Sequence, residues 1–78
     1  MAGSYNGHQS WTLWNVSLWV ANDEGLYNLA RDAIRETHNR HEAACYMLEA
    51  LQESGFCETP DGARYTETSL KYAMRGLL

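Results

Sequence analysis

Cysteine is scarce in this sequence of 78 residues: only Cys45 and Cys57 occur, alongside three histidines. That is too few for a disulfide framework. Long apolar runs are also missing, and none approaches the ~20 residues that a membrane-spanning helix needs. Met1-Ala2-Gly3 is followed by polar residues rather than by the apolar core of a signal peptide. A cytoplasmic protein with both thiols reduced is therefore expected. Basic residues are outnumbered, six against ten acids, for a formal charge of −4. A phosphate backbone repels such a surface, which disfavours direct nucleic-acid binding and favours a basic partner. The six glycines are scattered, so no Gly-rich phosphate loop is present. With no internal repeat, low-complexity tract or linker, the chain reads as one domain over residues 1–78, with residues 1–9 as an N-terminal arm.

What the chain does have is bulk concentrated in one place. All three tryptophans fall within residues 11–19, at Trp11, Trp14 and Trp19. A domain this short needs a core dense in large side chains, and each buried aromatic removes roughly 150–250 Å² from water. Ser10 is a good helix N-cap. Trp11, Trp14 and Leu18 then fall at i, i+3 and i+7, the spacing of one helical face, and Leu13, Val16 and Val20 widen it. Trp14, Val16, Leu18 and Val20 also alternate with Asn15, Ser17 and Trp19, which is a strand pattern. The length of the stretch and its freedom from Gly and Pro favour helix, with a strand over residues 11–20 as the alternative. Trp11 and Trp19 lie off each other's face, so one packing surface does not bury both equally.

Three further helices follow. Asn22-Asp23-Glu24 reads as a stop and restart, with the second helix from Asp23 to about Glu36 and an apolar stripe of Leu26, Leu29, Ala30, Ala33 and Ile34. Asn39 with Glu42 three residues later resembles a capping box and starts a helix from Arg40 to Ser54, with Ala44, Met47, Leu48 and Leu51 facing the core. Gly55 stands where a left-handed terminating residue belongs. The only proline opens the turn Pro60-Asp61-Gly62. A last helix runs from about Thr66 to Gly76, with Leu70, Ala73, Met74 and Leu77 on one side. The expected fold is all-α, a compact bundle of about four short helices; the alternative is α+β with residues 11–20 as a strand.

Few constellations carry chemistry. His38, His41, Glu42 and Cys45 would share one face of a continuous helix, and all are metal-ligand types. A helix boundary between His38 and His41, the capping role of Glu42, and Cys57 as the one distant partner argue against a zinc site. Cys45 then reads as a small buried side chain. Cys45 with His41 has nucleophile–base spacing but no oxyanion hole or orienting third group. A lone His8 reads as a loop histidine. No catalytic residue, metal or cofactor is expected, and the protein reads as a non-enzyme.

Two surfaces remain. An exposed Trp11 or Trp19 is a good interface anchor, and dimerisation is a direct way for a small fold to hide apolar area. From His41 to Glu67 there are also six acids, Glu42, Glu49, Glu53, Glu58, Asp61 and Glu67, against one base, Arg64. Glu42, Glu49 and Glu53 are spaced to form a solvated ridge. Carboxylates in a rigid row can occupy Lys/Arg grooves that otherwise hold phosphates.

Ser4-Tyr5-Asn6-Gly7, Trp11, Trp14-Asn15-Val16, Leu18-Trp19 and Asn22-Asp23-Glu24-Gly25-Leu26-Tyr27 resemble a group of small proteins of bacteriophages, plasmids and prophages. Their pattern runs Tyr-Asn-Gly, then Tyr-x-Thr-Trp-Asn-Val-x-Leu-Trp, then Asn-Asp. Trp11 stands here where Tyr is usual and Leu13 where Thr is usual. The resemblance covers about residues 4–27 and implies a mobile-element protein; no catalytic residue is carried over. Small acidic proteins of such elements are often inhibitors of host defence, including anti-CRISPR proteins, an analogy of size, charge and genomic company. The expected function is a non-enzymatic inhibitor that binds a basic groove of a host protein, a CRISPR–Cas subunit first. Glu42, Glu49, Glu53, Glu58 and Asp61 would supply the charge, and Trp11 or Trp19 the anchor. A homo-oligomeric structural or adaptor protein is the first alternative, and a metal-binding regulator using His38, His41 and Cys45 the second.

Overall fold

Each chain reversal in this protein is written by a cap. The computed structural model describes residues 10–75 and 77. The expected N-terminal arm, with Tyr5 and His8, lies outside the described residues. Helices span Trp11–Asn22 (α1), Glu24–Glu36 (α2), Arg40–Glu53 (α3) and Glu67–Met74 (α4). Among the described residues there is no strand beyond a single antiparallel bridge between Glu58 and Arg64. The fold is thus all-α, and residues 11–20 are helical rather than extended. No helix of the described residues is long and apolar enough to cross a membrane.

Ser10 opens α1, its hydroxyl accepting from the Leu13 N–H at 3.2 Å. Asp23 serves two helices. Its N–H donates to the Trp19 carbonyl at 2.8 Å, closing α1, and its carboxylate accepts from the Gly25 N–H at 2.9 Å, opening α2. At α3 the Asn39 side chain accepts from the Glu42 N–H at 2.9 Å, but Glu42 Oε1 accepts from His38 N–H, one residue before a capping box would place it. A full capping box occurs instead at α4. There Thr66 Oγ1 accepts from Ser69 N–H, and Ser69 Oγ accepts from Thr66 N–H. The C-terminus of α3 closes through Gly55, at φ +85°. Gly55 N–H donates to the Gln52 carbonyl and Phe56 N–H to that of Leu51. That pair of bonds and the left-handed residue form a Schellman motif.

The helices pack as a ring in which α2 and α4 each touch both α1 and α3. The core runs from Val16 and Val20 of α1 through Ala30 and Ala33 of α2 and Ala43, Ala44, Met47 and Leu51 of α3 to Leu70, Ala73 and Met74 of α4. Leu26, Leu29, Ile34, Leu48 and Leu77 pack on it partly buried, as their periodicity predicts.

Two expectations about burial are corrected. The Trp11, Trp14, Leu18 face is not the core face: Trp11 and Leu18 are each 37% exposed, while Asn15, Val16 and Val20 are buried. Leu18 lies two residues from both Val16 and Val20, hence about 200° round the helix from each. The helix is apolar on both sides, so hydrophobic spacing alone does not choose between them, and a buried polar residue, Asn15, decides. Cys45 is exposed rather than buried, because α3 turns Ala43, Ala44 and Met47 inward.

Candidate functional site

The loop from Phe56 to Tyr65 is held onto α1 by side chains one helical turn apart. Asn15 Nδ2 donates to Asp61 Oδ2 at 2.9 Å, and the Trp19 indole N–H donates to the same oxygen at 2.9 Å. Asn15 Oδ1 accepts from the Thr59 hydroxyl at 2.6 Å. Thr59 Oγ1 in turn accepts from the Ala63 N–H at 3.0 Å, and Thr59 N–H donates to the Ala63 carbonyl at 2.8 Å. Gly62, at φ +98°, makes the turn that backbone geometry requires here. Both polar ends of the Asn15 side chain are therefore satisfied at a buried position, as low dielectric demands. The Asn15 bond first, and the Trp19 bond second, hold the Asp61 carboxyl below its usual range, against a small opposing effect of desolvation.

So fixed, the loop forms one wall of a groove of about 540 Å³. Leu26 and Leu29 of α2, Ala50 and Leu51 of α3, and Phe56, Pro60 and Tyr65 of the loop give it an apolar lining. Its polar members are Asp23, Ser54 and Glu58, and none of the lining residues is basic. Phe56 is 59% exposed, the most exposed large apolar side chain described. Tyr65 is buried, which pushes its phenol above the usual value, with the Asp23 carboxylate adding to the effect.

The acids expected at a binding surface fall into four positions. Glu58 lines the groove. Glu49 and Glu53 are exposed on α3, each directly preceding a lining residue, Ala50 and Ser54. Glu42 is exposed near the opposite end of α3, about 16 Å along the axis from Glu53. Asp61 is exposed, but its Oδ2 accepts both bonds from α1. Of the two anchor tryptophans, Trp11 is exposed on the outer side of α1, whereas Trp19 is half-buried and turned to Asp61. Phe56 and Tyr65 carry no local signal that marks them as site residues. They line the groove beside Leu26 and Leu29 only through tertiary packing of segments distant in the sequence.

The histidine cluster is rearranged. His38 precedes the N-cap of α3 and its backbone N–H is engaged by Glu42, so it leaves the face it would share on a continuous helix. His41 and Cys45 stay one turn apart, and Glu67 joins them from α4. Cys57 is exposed in the loop and is not among these three.

These features define a small all-α bundle with an acid-edged apolar groove and a structured loop. The chain belongs to DUF7249, a family of unknown function whose model matches residues 1–77. No curated protein and no solved structure matches it.

Proposed function

We propose that this protein is a non-enzymatic binding module that inhibits a host-defence complex by docking on a basic surface, with a CRISPR–Cas effector as the first partner to test. The observation that carries this reading is the groove between α2, α3 and the loop. Its floor is apolar, its charged members are Asp23 and Glu58, and Glu49 and Glu53 extend the negative charge along α3. That chemistry fits a segment with one apolar face and flanking Lys or Arg, such as borders a nucleic-acid channel. Phe56 would be the apolar anchor and the carboxylates would steer encounter, a contribution that falls with salt. The resemblance of residues 4–27 to mobile-element proteins supports the host-defence setting by analogy.

The experiment is a pull-down of the tagged protein from a host with active CRISPR–Cas and restriction systems, in parallel with the Glu49→Lys/Glu53→Lys variant. Both positions are exposed, so the variant keeps its helix content and Tm within a few degrees. Recovery of a defence-complex subunit by the wild type, lost in high salt and lost in the variant, is the expected result. Equal recovery by the folded variant overturns the electrostatic reading.

A second reading rests on a different surface. Trp11 and Leu18, both 37% exposed, lie seven residues apart on the outer side of α1, and a second copy of this chain would cover them. Light scattering decides it: a dimer that is lost in Trp11→Ala supports the oligomeric protein, and a monomer at high concentration removes it.

A further inference from the structure

We propose that His41, Cys45 and Glu67 form a binding site for a divalent transition-metal ion, zinc above all, that clamps the start of α3 to the start of α4. One ligand atom from each residue lies within 4.8 Å of the others. The three come from two elements: His41 and Cys45 are one turn apart on α3, and Glu67 is the first residue of α4. His41 Nδ1 already contacts Glu67 Oε2. In a tetrahedral site with bonds of about 2.0–2.3 Å, donor atoms stand about 3.3–3.8 Å apart. Closing the site therefore asks the imidazole and carboxylate to part slightly and the thiol to move in.

Such adjustments are open to these side chains. His41 and Glu67 are 60% and 41% exposed, and Cys45 is exposed, so their rotamers change without disturbing the core. The backbones beneath them are held. Asn39 caps α3 two residues before His41, and the Thr66 capping box immediately precedes Glu67. An imidazole, a thiolate and a carboxylate form a borderline-soft N, S, O set suited to Zn²⁺, and their two negative charges neutralise the dication. The fourth position is left to water. This site is remote in chemistry from the acidic groove, and neither proposal depends on the other.

The test titrates untagged, reduced protein with Zn²⁺ and, as a spectroscopic probe, Co²⁺. Expected are saturable 1:1 binding, a thiolate-to-cobalt charge-transfer band, and a rise in Tm of more than about 10 °C at a hundredfold excess of Zn²⁺ over Kd. Cys45→Ser abolishes the band, and Cys57→Ser, at the other exposed thiol, leaves it intact. Glu67→Gln weakens binding by more than the roughly 10–100-fold that loss of an outer hydrogen-bond partner costs a metal site. Absence of saturable binding, or a band that survives Cys45→Ser or is lost in Cys57→Ser, overturns the assignment. All three variants alter exposed or half-buried positions, and the helical circular dichroism of each confirms that loss of metal is not loss of fold.

Discussion

Asn15 and Ser17 sit two residues apart in α1, and their substitution by alanine should move stability in opposite directions. Asn15 is buried with both ends of its amide bonded, to Asp61 and to the Thr59 hydroxyl. Asn15→Ala strands the Thr59 hydroxyl at a residue only 3% exposed. A buried donor left without its acceptor costs about 1–3 kcal/mol, and the space vacated by the amide adds to this. Alanine returns about 0.5 kcal/mol through its better helix propensity. The net loss is about 2 kcal/mol, a fall in Tm of roughly 8–16 °C for a domain of this size. Ser17 is the contrary case: its Oγ is buried with no hydrogen-bond partner among the described residues. Ser17→Ala removes an unsatisfied group and improves propensity, so it should stabilise by about 0.5–1.5 kcal/mol. Urea unfolding followed by tryptophan fluorescence and far-ultraviolet circular dichroism measures both. A loss below about 0.5 kcal/mol for Asn15→Ala, or a destabilising Ser17→Ala, would refute the claim that polar satisfaction orients this helix.

Two other expectations follow from the same loop and its flank. The Asp61 carboxyl is held below its ordinary value by Asn15 and Trp19 in the folded state, so its contribution is complete above the ordinary carboxylate range and is lost as pH falls through the lowered folded value. The stability gap between wild type and Asp61→Asn should therefore narrow on acidification, measured by urea unfolding at neutral and strongly acidic pH; a gap that is constant or widens contradicts the sign. Gly55 adopts φ +85°, and a Cβ there would meet nothing within 4 Å, so Gly55→Ala should cost about 1–2 kcal/mol from backbone strain alone. A neutral result in thermal unfolding would refute the Schellman closure.

Helix ends were legible because caps are local. Ser10, Asp23 and Asn39 each carry a side-chain acceptor at the position where a free N–H lies within reach, and that relation needs no knowledge of the rest of the fold. The stripes of α2 and α4 were legible for a similar reason, since each has one apolar side. The side of α1 was not. With Trp11, Trp14 and Leu18 on one side and Val16 and Val20 on the other, hydrophobic spacing fits both choices. The deciding contacts join residues 15 and 19 to residue 61. Asn15, one turn from Trp19, was the available signal: an amide set between Trp14 and Val16 is a candidate for a satisfied buried bond. Glu67 was invisible as a partner of His41 and Cys45 for the same reason of distance, because only the α3–α4 packing brings it there.

The Trp-Asn-Val-x-Leu-Trp stretch consequently divides by side. Asn15, Val16 and Trp19 look inward or toward the loop, and Leu18, with Trp11 before it, looks out. This division determines which substitutions can report on function. Asp61 and Trp19 belong to the bonds that fix the Pro60 wall of the groove, so changing either alters the shape of a binding surface along with its charge or area. Loss of partner binding in Asp61→Asn would thus be ambiguous. Glu49 and Glu53 have no such role: both are exposed on a helix whose core contacts are made by Ala43, Ala44, Met47 and Leu51. Trp11 is less separable: it faces the outer side of α1 but is only 37% exposed, so its truncation also removes packing and needs a parallel stability measurement. Reversing charge at Glu49 and Glu53 probes the groove side of the molecule and truncating Trp11 probes the outer side of α1; in binding to one partner the two effects should add, because sites without shared contacts are energetically independent, and with different partners each substitution should weaken only its own complex.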